Sequence, residues 1–287
     1  MIAVSIVTYH TPDGMLKNCL SSLANKLVGR IVVVDNSSEP STRRLVESNK
    51  GAEYLANPNV GYGRAHNIPM VESVERGYDY HLVLNPDVSF DPEVISRLCE
   101  FLDANPSIAM AQPAMKRPDG SDVEGARMLP TPLDLIARRF LPRFMFRRRR
   151  ERYLLRHLSK KEPFRVPYVQ GSFMMIRCSA LKETGLFDPR YFMYPEDIDL
   201  SRRLDERFGV ACVPGIVITH DHAAGSYRSL SLLKVHIINM CRYFNKWGWW
   251  HDPMRRRLNS LLRSGKYEFS TPPVIPSPAN MYISDPQ

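Results

Sequence analysis

The chain has 287 residues, 44% of them hydrophobic, which supports a sizeable core and excludes global disorder. No apolar run approaches the roughly 18–20 residues that span a bilayer, and the short apolar start MIAVSIVTYHTPDG lacks a basic leader, so the protein is expected to be soluble or peripheral, in the cytoplasm. The net charge of +9 is local: from Arg138 to Arg165 twelve basic residues face two acids, Glu151 and Glu162, and the remainder is close to neutral.

Residues 2–8 (IAVSIVT) form an apolar, β-branched run, the mark of a strand buried on both faces. Met15, Leu16, Cys19, Leu20, Leu23 and Leu27 fall at helical spacing over 15–27. IVVV at 31–34 predicts a second strand, followed by a helix over about 41–49, a strand at 52–56 and a helix over 62–76. HLVLN (81–85) is a fourth strand. Asp91-Pro92 reads as an N-cap with proline at the first helical position, opening a helix to about Asp103, and 108–112 resume a strand. Residues 113–132 read as loop with a turn at Asp119-Gly120, 133–160 as a basic stretch, and 166–176 as strand. Tyr191 to Phe208 run from a loop into a helix, and 212–226 predict a strand pair entering a loop. An amphipathic helix over 229–250 ends in Trp247, Trp249 and Trp250.

These elements divide the chain into a main domain over 1–228, with a basic amphipathic insertion at about 133–163, and a C-terminal helical region over 229–263. A tail over 264–287, rich in proline and serine, is expected to be poorly ordered. The β-α-β-α alternation implies an α/β fold with a mostly parallel, doubly wound sheet. Ligands in such sheets sit beyond the carboxyl ends of the strands. Three predicted strand ends carry polar clusters there: Thr8-Tyr9-His10, Asp35-Asn36-Ser37 and Asn85-Pro86-Asp87. Five scattered cysteines without a CxxC pair read as buried thiols in a reducing compartment.

Asp35, just past a buried strand, can accept the imide N–H of a uracil or thymine ring, or serve as a turn residue. Asp87 can hold magnesium or manganese against a diphosphate, or belong to a proline turn. The loop Asn59-Val60-Gly61-Tyr62-Gly63-Arg64-Ala65-His66-Asn67 can bring backbone N–H groups and Arg64 near phosphate or sugar. In Tyr194-Pro195-Glu196-Asp197-Ile198-Asp199 three acids in four positions exceed what helix capping requires, so one can act as a general base. The helix N-terminus is expected to lower its pKa and keep it ionised. His220 and His222 flank Asp221 after a strand, where either can be a metal or diphosphate ligand.

The order of these segments is more specific than any one of them. IVTYH, VVVDNSS, NVGYGRAHN, LNPDV, VQGSFMMIR, FMYPEDIDLSRRL and ITHDHAAGS, spread over about residues 2–230, resemble the family 2 glycosyltransferases with a GT-A fold, in their bacterial rhamnosyltransferase-like branch. The resemblance implies an inverting transferase that uses a nucleotide-diphosphate sugar. Thr8 and Asp35 would contact the pyrimidine nucleoside, with Tyr9 and Asn36 beside them, while Gly61, Arg64 and Asn67 would serve the donor. Asp87 would be the metal carboxylate of the family's Asp-x-Asp motif, whose first position is Asn85 here, so one firm carboxylate is present. Gly171 and Ser172 would line the sugar side, Asp197 would be the catalytic base with Glu196 beside it, and His220, or alternatively His222, would assist the divalent cation (Mg2+ or Mn2+). The implied donor is dTDP- or UDP-linked, L-rhamnose first among the candidates, and the implied acceptor is a glycan, often polyprenyl-diphosphate-linked in the family.

The insertion interleaves Ile136, Phe140, Leu141, Phe144, Met145, Phe146, Tyr153, Leu154, Leu155 and Leu158 with arginines, which predicts docking on an anionic membrane at the inner face of the cell. The tryptophans and Arg255-Arg256-Arg257 read as a second anchor. No RRM, KH or OB signature is present, so no nucleic-acid partner is expected. A nucleotidyltransferase would want a glycine- and lysine-rich loop after the first strand, which IVTYHTPDG lacks. A non-catalytic membrane- or RNA-binding module on a decayed transferase fold would not need Asp35, Asp87 and Asp197 together.

Overall fold

A computed structural model describes residues 1–134, 147–156, 161–221 and 230–271. Its first half follows the alternation closely: β1 (Ile2–Thr8), α1 (Asp13–Ser21), β2 (Val28–Asp35), α2 (Pro40–Ser48), β3 (Ala52–Ala56), α3 (Tyr62–Glu75), β4 (Tyr80–Leu84), β5 (Val88–Ser89), α4 (Glu93–Ala104) and β6 (Met110–Lys116). Short strands β7 (Asp122–Val123), β8 (Ala126–Arg127), β9 (Phe164–Arg165) and β10 (Tyr168–Val169) precede β11 (Phe173–Arg177) and the long β12 (Val210–His220). Helices Arg147–Tyr153, Cys178–Thr184, Glu196–Arg207, Leu230–Trp247 and Pro253–Arg263 complete the described elements.

The main sheet runs β3-β2-β1-β4-β11-β6-β12-β5, with β7 on β6 and β9 on β12. β1, β2, β3 and β4 pair in parallel, as do β6 and β12, whereas β11 is antiparallel to both β4 and β6. The sheet is therefore mixed and mostly parallel, as the alternation predicts. β1 and β4 are buried at every position, which explains why their sequences are continuous apolar runs and not alternating ones. Along β4 the pleat sends Leu82 and Leu84 to the cluster under α1 and α4, and Val83 to the cluster under the Glu196–Arg207 and C-terminal helices. With both faces covered, the carboxyl edge is where polar side chains can gather.

The differences from expectation have local causes. α1 stops at Ser21 although apolar spacing runs on to Leu27, because the Asn25 side chain accepts from the Leu27 amide and donates to the Pro92 carbonyl, which turns the chain. The helix after Asp91-Pro92 begins at Glu93, whose amide Asp91 Oδ1 still accepts at 2.9 Å. The region read as loop from 113 onward contains the rest of β6, β7 and β8. The 166–176 run is two strands, because the Gln112 amide donates to both Gln170 and Phe173 carbonyls and fixes a bend between them. In place of a strand pair after residue 212 there is one strand, β12, with a register break between Val213 and Val217 where Pro214 cannot donate to the ladder.

Part of the insertion, residues 135–146 and 157–160, lies outside the described residues, as do 222–229, with His222, and 272–287. Tyr153, Leu154 and Leu155, read from sequence as part of a lipid-facing stripe, point into the core instead. Tyr267, within the stretch assigned to the tail, is buried and donates to Asp205. The five cysteines are free thiols, four of them buried.

Candidate active site

Parallel pairing brings the carboxyl ends of β1, β2 and β4 to one edge: Thr8 lies opposite Asp35, and Ile6 opposite Leu84. β11 enters this edge by its amino end, with Phe173 opposite Leu84, so Gly171 and Ser172 arrive there too. β12 reaches it with His220, opposite Val88. Neighbouring strands lie about 4.8 Å apart, so β2 and β4 are separated by roughly 10 Å, a span suited to a nucleoside diphosphate.

At the β1–β2 end Asp35 is buried and saturated. It accepts from the Thr8 hydroxyl (3.1 Å), the Ser37 amide and hydroxyl (3.0 and 2.7 Å), the Glu39 amide (2.7 Å) and the Tyr54 hydroxyl (3.1 Å). Burial opposes its ionisation, but the Ser37, Glu39 and Tyr54 donors outweigh that and hold its carboxyl below the ordinary range. Asn36 accepts from Asn57 at 2.7 Å, and Tyr9 stands exposed beside them, its ring edge-on to His10.

Two strands away stands a second cluster. His220 Nε2 lies 3.3 Å from Asp87 Oδ1. The Tyr62 hydroxyl donates to the Gly171 carbonyl (2.6 Å) and lies 3.0 Å from the Asn85 side-chain oxygen. The Gly171 amide donates to Asp197 Oδ2 at 3.0 Å, and Ile198 donates to Oδ1 at 2.8 Å. The carboxylate thus sits in the first turn of the Glu196–Arg207 helix, pinned to the lip of β11. Tyr168 donates to the same Oδ2 at 3.4 Å, and Arg127 donates to Tyr168 at 3.5 Å.

Glu196 and Asp197 are both buried, and among the described residues Glu196 Oε2 has no hydrogen-bond partner. Burial, together with the Asp197 charge, pushes the Glu196 carboxyl up. Burial also raises Asp197, against the Gly171 and Ile198 amides and the Arg127 charge, which pull it down. This corrects the expectation of a lowered pKa: the helix-end amides are present, but the desolvation of two adjacent acids is larger. Adjacent acids of this kind share protons and titrate as a pair. Ionised Asp197 is accordingly a stronger base than an exposed carboxylate.

Four expected donor residues are used elsewhere. Asn67 donates to the Phe187 carbonyl and accepts from the Phe187 amide, and Arg64 donates to the Pro189 carbonyl. The Ser172 hydroxyl turns to the Met115 sulfur. Gly61 has φ +98°, and a Cβ there would stand 2.3 Å from the Phe192 carbonyl oxygen. The Asn67, Arg64 and Gly61 contacts seat the 187–195 loop that leads into the carboxylate helix. Gly61→Ala should cost about 3 kcal/mol from backbone strain and overpacking, read as a drop in the urea midpoint. A loss below about 1 kcal/mol would mean the loop is not seated on this glycine.

Sequence reasoning missed Tyr62, Tyr168 and Arg127 as members of the site. Tyr62 lay within the quoted NVGYGRAHN motif, but nothing in one dimension shows its hydroxyl bridging β4 and β11. Among the described residues no group of three or more His, Cys, Asp or Glu side chains is placed to hold a metal ion.

A mostly parallel sheet with these carboxylates along one edge is the architecture of a GT-A glycosyltransferase. The chain belongs to glycosyl transferase family 2, whose sequence profile matches residues 3–185. It is 29% identical over 286 residues to the N-acetylglucosaminyl-diphospho-decaprenol L-rhamnosyltransferase of Mycobacterium tuberculosis, covering 91% of this chain and 90% of that protein. Among solved structures it superimposes on S. aureus TarS with a TM-score of 0.58 at 14% identity, over 94% of this chain but only 44% of TarS. The mannosyltransferase PcManGT of Pyrobaculum calidifontis, solved with GDP-Man and Mn2+, gives a TM-score of 0.54 at 14% identity, over 93% of this chain and 69% of that one. These likenesses support the fold, and the chain is a glycosyltransferase.

Proposed function

We propose that the enzyme transfers L-rhamnose from its dTDP donor, with inversion, to a polyprenyl-diphosphate-linked glycan at the cytoplasmic face of the membrane. The observation that carries the mechanism is the chain of contacts from Asn85, two residues before Asp87, through Tyr62 and Gly171 to Asp197. The sugar and the lipid-linked acceptor are supported by the mycobacterial relative, whose name specifies L-rhamnose and a decaprenol diphosphate acceptor. Among the described residues no helix is long and apolar enough to cross a membrane, so such an acceptor would be met at a surface.

In this reading the nucleoside lies over Thr8, Tyr9 and Asp35, and the diphosphate reaches Asp87. Asp197 takes the proton of the acceptor hydroxyl as that oxygen attacks the anomeric carbon from the face opposite the leaving diphosphate. Tyr62 and Gly171 hold Asp197 at the attacking side. Asp87 and His220, one carboxylate and one imidazole 3.3 Å apart, would hold a Mg2+ or Mn2+ ion. When bound, that ion supplies positive charge against the leaving group.

Thermal shift with dTDP, UDP and GDP, each with and without manganese, tests the donor. At a hundredfold excess over Kd the right nucleotide should add about 2.7 kcal/mol of stability. dTDP is expected to stabilise most, and Asp87→Ala to remove the manganese-dependent part of the gain. Greater stabilisation by GDP would overturn the pyrimidine assignment.

A further inference from the structure

The transfer chemistry leaves one concentration of charge unused. A cavity of about 710 Å³ opens between the Arg147–Tyr153 and Pro253–Arg263 helices. Seven arginines line it, four from the first helix and three from the second, against a single carboxylate, Asp134. Arg149 pairs with Asp134 at 2.5 Å and Arg147 with Glu151 at 3.0 Å. Among the described residues no carboxylate lies within ion-pair distance of Arg148, Arg152 or Arg256. A cleft of one charge sign, lined by guanidinium forks, concentrates anions and matches phosphate oxygens in pairs.

Its position narrows the anion. Arg127, on β8, stands beside Asp197, and the next two residues, Met128 and Leu129, form part of the cavity wall. The cavity wall therefore begins one residue along the chain from the arginine whose charge acts on the carboxylate. The Trp249 and Trp250 backbone carbonyls accept from Arg255 and Arg256, which ties that stretch of chain to two arginines of the cavity wall, and Trp250 is 70% exposed. Exposed indole beside guanidinium is suited to a boundary between lipid and water.

We infer that this pocket holds the diphosphate of the lipid-linked acceptor, with the tryptophans toward the lipid and the acceptor sugar turned toward Asp197. The inference rests on the lipid-linked reading proposed above. It commits to a lipid diphosphate and not to free phosphate.

The test uses the full-length protein, without nucleotide sugar, titrated calorimetrically with farnesyl diphosphate at fixed salt. Arg148 and Arg152 are exposed, one helical turn apart and outside the core, so Arg148→Ala/Arg152→Ala should fold normally. That double variant should bind farnesyl diphosphate about tenfold more weakly or worse. Lys17→Ala/Lys26→Ala removes the same charge from remote exposed positions and should change affinity less than about twofold. Equal losses in the two doubles, or no binding by the unmodified protein, would overturn the pocket. Inorganic pyrophosphate binding as tightly as farnesyl diphosphate would overturn the lipid source. Farnesyl diphosphate bound with this arginine dependence supports the pocket whatever a donor screen returns, so the site and the proposed transfer can fail separately.

Discussion

Asp197→Asn is expected to lower kcat by about a thousandfold, the usual worth of a general base, while leaving nucleotide binding intact. Asparagine keeps the shape, but its single oxygen can accept from only one of the Gly171 and Ile198 amides, so unchanged nucleotide binding by the variant is the check that the loop geometry survives. Glu196→Gln is the comparator. Glu196 is equally buried, but its Oε2 has no partner among the described residues, whereas Asp197 is held from both oxygens. Precise holding is what a base needs to meet an incoming hydroxyl. If Glu196→Gln caused the thousandfold loss and Asp197→Asn did not, the roles would be reversed. The pH profile carries the sign: the base works ionised and its pKa is raised, so kcat/KM should fall as pH drops through a value above the ordinary carboxylate range of about 4. An acid limb at or below about 4 would contradict the burial argument.

Arg202→Ala is expected to be the most damaging single change to stability, about 3–5 kcal/mol in urea unfolding. Its side chain is 2% exposed; it donates to Glu206 at 2.6 Å and, in a fork, to Asp252 at 2.7 and 2.9 Å, and it lies 4.0 Å from the Trp247 ring centre. Removing it would take the ion-pair partner from buried Glu206 and leave buried Asp252 with Arg255 alone, 3.8 Å away. Asp252 also caps the Pro253–Arg263 helix by accepting from the Arg255 amide at 2.9 Å, so the damage would spread to the C-terminal helices. Arg202→Lys should rescue little, since an ammonium cannot reproduce the fork. A loss below about 1 kcal/mol would show that these charges are solvated. Asp199 strengthens the same junction, accepting from Lys246 at 2.7 Å and from Trp247 Nε1 at 2.8 Å. The C-terminal helices therefore buttress the helix that carries Glu196 and Asp197. Trp247 and Arg255, read from sequence as membrane anchors, belong to this buttress, which leaves Trp249 and Trp250 as the exposed indoles.

Most strands and helices were legible because their signals are local. A continuous β-branched run such as IAVSIVT has few alternatives to a buried parallel strand, and the order of polar strand ends marked the edge where chemistry gathers. The errors came where a distant side chain decided the backbone. Asn25 ended α1 by reaching Pro92, and Gln112 bent the 166–176 run by holding two carbonyls far along the chain.

The candidate site divides along the same line. Residue order alone marked Asp35, Asp87, Asp197 and His220, since each sits at the end or start of an element whose periodicity is visible. Tertiary structure alone decided what these groups do to one another. Packing turned Asn67 and Arg64 to the 187–195 loop, aimed Tyr62 across two strands, and buried Glu196 with Asp197 so that desolvation overcame the helix-end amides. Local propensity depends on neighbours a few residues apart, which the sequence displays. Burial and charge coupling depend also on neighbours tens of residues away, as Gly171 and Arg127 are from Asp197, which only folding brings together.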